Sequence, residues 1–264
     1  MTTQHPVVIF GDVHGDNTKL RALISQAQAK YGTVHLFSVG DLNDRGPDVP
    51  GVLDTCIEYG IQGILGNHEL WLHKYLSTGE FGSEALHFMM GGKATIQAYS
   101  DRAGAQMDLA NSRLIQKALK HCIPESHKQY ILTLPLYRTV IVAGTTYWLI
   151  HAGLKAPLAD SFREFAEQSA SAKGMGPVSD EVLMEVIATI KADSLLWDHY
   201  NDGDQMYQFL NGAVQVFGHA PQPSALDAGH FIALDTGCGR KKKPNALSAV
   251  VLLPDGGREF IAVA

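Results

Sequence analysis

Residues 7–17 read VVIFGDVHGDN. Four apolar residues, three of them β-branched, stop at Gly11, and the spacing then becomes helical. Leu20, Leu23, Ile24 and Ala27 recur at steps of three and four as far as Gly32, and Asp16 or Asn17 stands where a cap is needed. The stretch predicts strand, loop, helix. A second unit follows, with a strand at residues 34–39, the loop GDLNDRGPD at 40–48, a helix at 49–59, and a third strand at 61–65 running into GNHE at 66–69. The order βαβαβ belongs to an open α/β sheet, whose ligands gather beyond the carboxyl ends of the strands. Asp12, His14, Asp41, Asn67 and His68 all fall just past such ends.

From about residue 70 to 135 the texture is helical, rich in Ala, Gln, Lys and Leu and broken by Gly79, Gly82, Gly91, Gly92 and Gly104. Strand spacing returns at 147–150, 214–217, 231–234 and 247–253, with a helical stretch at about 180–192, and His151 and His219 terminate two of these strands. The expectation is one continuous domain over residues 1–264, of α/β class, with a helical insertion at about 70–135. A length of 264 residues suits one large domain. Lys and Arg total 21 against 27 acids, a formal charge of −6, which argues against bulk electrostatic binding of nucleic acid or of an anionic membrane. Any phosphate recognition must be local. Cys56, Cys122 and Cys238 are odd in number and lack CxxC spacing, so reduced thiols in a cytoplasm are expected. Neither a signal-peptide pattern nor an apolar run long enough to span a membrane is present.

Five short motifs carry six metal-ligand types: Asp12 and His14 in GDVHG, Asp41 in GDLNDRG, Asn67 in GNHE, His151 in HAG and His219 in GHA. Each fragment alone reads most simply as a tight turn with a polar cap. Together they describe a site for two divalent ions. Two carboxylates leave such a pair net cationic, so an anion is favoured there, and the mixed nitrogen and oxygen donors suit manganese, iron or zinc. Asp41 has two oxygens and is the natural bridge. Ions roughly 3.5 to 4 Å apart lower the pKa of a shared water and stabilise charge on a phosphoryl group.

The series GDVHG, GDLNDRG, GNHE, HAG and GHA resembles the calcineurin-like metallophosphoesterases, and DRG with GNHE is similar to their phosphoprotein phosphatase branch. The resemblance implies two mixed sheets packed face to face and flanked by helices. It implies that Asp12, His14 and Asp41 hold one ion, and that Asp41, Asn67, His151 and His219 hold the other. His68 would protonate the leaving oxygen, paired with Asp44, while Arg45 contacts the phosphate and a hydroxide held by the two ions attacks. Manganese is the expected metal. The implied activity is dephosphorylation of phosphoserine and phosphothreonine in proteins, extending to small phosphate esters. The alternatives are a symmetrical dinucleoside tetraphosphate hydrolase or another nucleotide phosphohydrolase, and a phosphate-binding regulator without turnover, against which the retained His68 and Asp44 argue.

Two departures stand out. Asn43 replaces the apolar residue usual before DRG, which predicts altered packing behind Asp41. Relatives in bacteria commonly carry a second phosphate-binding arginine after Leu-Leu-Trp, whereas here Trp197 precedes Asp198, His199 and Tyr200; His199, or the basic run at 240–243, are the candidate replacements. The eukaryotic C-terminal tyrosine signature is also missing, which favours a bacterial-type member. The other histidines, His5, His35, His73, His87, His121, His127, His199 and His230, read as surface or satisfied core. His121, Cys122 and His127 lack a fourth zinc ligand nearby. Residues 91–93, GGK, read as a helix-breaking loop, with phosphate contact through its amides as the alternative.

Overall fold

The first strand, β1 (Val7–Phe10), is buried on both sides, and alternation divides its side chains between two cores. Val7 and Ile9 join one cluster with Val39, Leu149, Val216, Ile232, Val250 and Leu252, whereas Val8 and Phe10 join another with Leu20, Leu23, Ile24 and Leu53. The first cluster lies between two sheets and the second lies under helices. This computed structural model describes residues 4–82, 86, 90–172, 176–240 and 245–264; His87 and Lys241, Lys242 and Lys243 of the basic run lie outside them.

In the first sheet β1 pairs in parallel with β2 (His35–Ser38) and antiparallel with β9 (Ala246–Leu252), which also pairs with β8 (Asp235–Thr236) and β10 (Arg258–Val263). The second sheet runs β3 (Tyr137–Val142), β4 (Thr145–Ile150), β5 (Val214–Phe217), β7 (Phe231–Ala233) and β6 (Leu226–Asp227), parallel at its centre and antiparallel at both edges. The class is therefore α/β with two mixed sheets. Helices α1 (Asn17–Tyr31) and α2 (Val49–Glu58) cover the first sheet, and α7 (Ala156–Ser171) and α8 (Asp180–Ile190) cover the second through Trp148 and Ile150. Leu20, Leu23, Ile24 and Ala27 are the buried face of α1, and Asp16 caps it by accepting from Lys19 N–H at 3.1 Å. Each leucine or isoleucine of that face contributes about 1.5 to 3 kcal/mol by leaving water.

Four helices fill the stretch after the third motif: α3 (Asn67–Thr78), α4 (Gly92–Arg102), α5 (Ser112–Cys122) and α6 (Glu125–Leu132). A short α9 (Ala192–Trp197) precedes the Asp198 to Tyr200 segment. The strand expected at 61–65 does not form. Gln62 makes one bridge to Phe37, and Leu65 N–H then turns away to Pro135 O at 2.8 Å, because Gly60 and Gly63 weaken the run and its bonds go to a different neighbour.

Candidate metal centre

Asp12 and His14 follow β1, Asp41 follows β2, His151 follows β4 and His219 lies two residues past β5, so the carboxyl ends of both sheets open on one place. Asn67 and His68 form the first turn of α3. The loops are joined across the seam, with His151 Nδ1–H donating to Val39 O at 2.8 Å and His219 N–H to Asp12 Oδ1 at 3.1 Å. The backbone carries strain here. Of the six non-glycine residues with positive φ among those described, five are His14, Asp41, Asp44, Arg45 and His219. Left-handed backbone at such residues costs of order 1 to 3 kcal/mol each and persists only where surrounding contacts impose it.

All nine residues singled out from the sequence come together. His151 Nε2 and His219 Nδ1 lie 2.9 and 3.0 Å from Asn67 Oδ1, and His151 Nε2 is 3.3 Å from Asp41 Oδ1. On the other carboxylate oxygen, Asp41 Oδ2, His14 Nε2 closes to 3.6 Å and His68 Nε2 to 3.8 Å. Asp12 Oδ2 is 3.8 Å from His14 Nε2. Two groups of donor atoms thus share Asp41: His14, Asp41 and His68, and Asp41, His151 and His219. His68 stands in the first group where the resemblance implies Asp12, although its own ring is bonded to Asp44 on the far side.

The donor set fits divalent ions. His14 Nδ1–H donates to Asn43 O at 3.0 Å, so His14 Nε2, like His151 Nε2, presents a lone pair to the centre. Burial pushes Asp12 well above the ordinary carboxylate value, and the charges of Asp235 and Asp41 push it further. Burial also holds His14 well below its ordinary value and, with His151, brings His219 down to about 3. Burial acts upward on Asp41, but His151, His68, His14 and His219 outweigh it and keep that carboxyl low. Asp41 held as a carboxylate beside His14 and His219 kept neutral is the protonation pattern that a cation needs.

Behind the donors sits a wired pair. His68 Nδ1 is 2.9 Å from Asp44 Oδ2, which also accepts from Trp71 Nε1–H at 3.0 Å, while Asp44 Oδ1 accepts from Thr95 Oγ1–H at 2.5 Å and Asn43 Nδ2–H at 3.1 Å. Burial pulls His68 down, yet Asp41 and then Asp44 prevail and leave it above the ordinary imidazole value. Arg45 spans both imidazoles, with Nη1 at 2.6 Å from His14 Nε2 and Nη2 at 2.9 Å from His68 Nε2.

The chain is matched over residues 5–255 by the calcineurin-like phosphoesterase family. It belongs to that family. Among curated relatives, symmetrical bis(5'-nucleosyl)-tetraphosphatases from Neisseria gonorrhoeae and Erwinia tasmaniensis are each 39% identical, over 65 and 66 residues. Each match covers 24% of this chain and 24% of the relative. Among solved structures, a serine/threonine phosphatase from Saccharomyces cerevisiae aligns with TM-score 0.57 and 13% identity over 98% of this chain and 79% of its own. A protein provisionally named diadenosine tetraphosphatase aligns with TM-score 0.56 and 22% identity over 99% of this chain and 95% of its own. At these identities both show a shared fold.

Four residues of this calcineurin-like phosphoesterase escaped sequence reasoning. Glu69 is fully buried and accepts from the backbone N–H groups of Asp41, Leu42, Asn43 and Gly66 at 2.8, 2.8, 3.1 and 2.9 Å. It is the third residue of α3 reaching back to the Gly66 N–H at the cap, the glutamate half of a capping box, legible in GNHE. A side chain on Gly66 would overlap Asp41 Oδ1, so only glycine admits this approach. Asp235 lies two residues past the end of β7, where it opens β8, and an acid just beyond an apolar run was the missed signal. Trp71 and Thr95 reach Asp44 through tertiary packing and left no local mark. Asn43 is corrected from a packing disturbance to a participant: its carbonyl orients His14 and its amide holds Asp44 and His68 O. His199 is exposed, with its ring centroid 4.9 Å from that of His219, and Trp197, 44% exposed, stands at 6.4 Å. Gly91 caps α4 and its carbonyl accepts from Arg45 N–H at 3.3 Å, so the GGK segment packs behind the DRG loop. His127 is a satisfied core histidine, bonded to Tyr99 Oη and Asp54 Oδ1.

Proposed function

We propose that this phosphoesterase hydrolyses phosphate monoesters, with phosphoserine and phosphothreonine in proteins as its leading substrates and a pair of divalent ions, manganese first, as its cofactor. The single observation behind this reading is the placement of His68, bonded to Asp44 and touched by Arg45, directly beside donor atoms that converge on Asp41. Bound ions would supply an activated water and stabilise the charge that grows on the phosphoryl oxygens. Asp12, His14 and Asp41 would hold one, and Asp41, Asn67, His151 and His219 the other.

The chain's own groups do the rest. Asp44 keeps the His68 ring oriented and cationic, and His68 delivers its proton to the departing oxygen, a contribution of about 10² to 10⁴ in rate. Arg45 offers a planar pair of donors to two phosphoryl oxygens, which fixes orientation as well as charge. No described helix is long and apolar enough to cross a membrane.

The test is release of phosphate from a chromogenic aryl phosphate with added manganese. His68→Asn and Asp41→Asn are each expected to lose nearly all activity, and undiminished turnover in both would refute the assignment. A second reading, hydrolysis of dinucleoside tetraphosphates, is supported by the curated relatives and by exposed Trp197 near His219, a surface on which a base can stack. Competition between a phosphopeptide and a dinucleoside tetraphosphate decides, and clear preference for the nucleotide reverses the ranking.

A further inference from the structure

Arg240, the one described residue of the basic run, is not among the groups placed at the centre above. Arg240 closes a turn after β8, its N–H donating to Gly237 O at 3.1 Å, and this turn lies against the first motif. Cys238 Sγ–H donates to Val13 O at 3.2 Å, and a side chain added at Gly239 would come within 2.5 Å of His14 Cβ. Arg240 is therefore carried to the lip of the centre beside His14. Its side chain is exposed and, among the described residues, makes no ion pair, whereas Arg21, Arg102, Arg163 and Arg258 each hold a carboxylate. Of the two guanidinium groups beside the first motif, only Arg45 is engaged with the histidines.

We propose that Arg240 forms a second anion subsite, which takes an anionic group of the substrate other than the phosphate being cleaved. The proposal rests on the phosphoesterase reading and sharpens it: preferred esters carry a carboxylate or a second phosphoryl group near the scissile phosphate. An arginine matches either, because its planar fork makes two parallel hydrogen bonds to a carboxylate or a phosphoryl group. In a chain of formal charge −6, an exposed guanidinium beside the centre also counters the general repulsion of such an anion.

The experiment reads binding, so its outcome does not depend on turnover. Calorimetry on the manganese-loaded protein, with manganese in excess, compares methylphosphonate with phosphonoacetate and with methylenebisphosphonate. The two double anions are expected to bind more tightly, and Arg240→Gln to remove about threefold to tenfold of that advantage on at least one arm, as for a rim charge. Methylphosphonate binding stays unchanged and Arg240→Lys retains part of the advantage. Loss on the carboxylate arm points to an acidic residue beside a phosphoamino acid; loss on the bisphosphonate arm points to a phosphate chain. An advantage that survives Arg240→Gln on both arms, equal weakening of methylphosphonate, or no binding of any phosphonate overturns the subsite. Failure to hydrolyse any ester would sink the catalytic reading while this comparison still decides the subsite.

Discussion

Replacing Glu69 by alanine should cost the metal-free protein about 4 to 6 kcal/mol. The carboxylate is the sole acceptor shown for the N–H groups of Leu42, Asn43 and Gly66, and it also takes that of Asp41. A buried donor left without a partner costs about 1 to 3 kcal/mol. Four donors set a ceiling near 12 kcal/mol, and water entering the space left by truncation reclaims roughly half. Glu69→Gln keeps one accepting oxygen but turns an amide N–H₂ toward other donors, so it should fall between. The assay is urea unfolding of both variants without metal, read as a change in midpoint at constant slope. Because the same bonds impose the positive φ of Asp41, manganese affinity should fall in parallel. An alanine variant within about 1 kcal/mol of the parent would refute the idea that one side chain braces the second loop against α3.

Other outcomes follow from the same site. Asp44→Asn removes a charge that raises His68, so the alkaline limb of the rate profile should move to lower pH with at least a tenfold loss at its former optimum; an unmoved limb contradicts the pairing. His68 itself, raised in the fold, contributes stability that is complete below its ordinary value of 6.5 and is lost as pH rises through the higher folded value, which denaturation of Asp44→Asn against the parent should register. Burial and the charge of Asp41 push Glu69 up to about 7, so in the metal-free protein its contribution is present below 4.5 and lost as pH climbs through about 7; the parent should lose this slope in Glu69→Gln. Arg45→Lys should weaken phosphate inhibition about tenfold, because a point charge cannot span two oxygens.

Much of this was legible because the site obeys a local grammar: a short apolar run, a glycine, then a donor. Asp12, Asp41 and His219 follow it, His151 stands directly after Ile150 without the glycine, and each lies at or just past the end of its strand. Asp235 lacks the glycine, since Leu234 precedes it, and it opens a two-residue strand whose pairing with β9 is tertiary. α7 escaped notice because Lys155 gives it no side-chain cap, so its start carries no mark. β3 and β10 lie at sheet edges with exposed residues such as Ile141 and Phe260, which blur the pattern of a buried strand. The segment at 61–65 misled for the opposite reason, since Ile61 and Ile64 are buried without a ladder.

Asp12, Asp41 and Asn67 rise from one layer of the sandwich, His151 and His219 from the other. Ions gripped by both would act as a staple through the seam, and at a hundred times their dissociation constant would add about 2.7 kcal/mol to folding. Resilience of the whole molecule then tracks the supply of divalent metal: under starvation the layers breathe at that edge first, and amide exchange at the ends of β1, β2, β4 and β5 would quicken before any other part of the sheets.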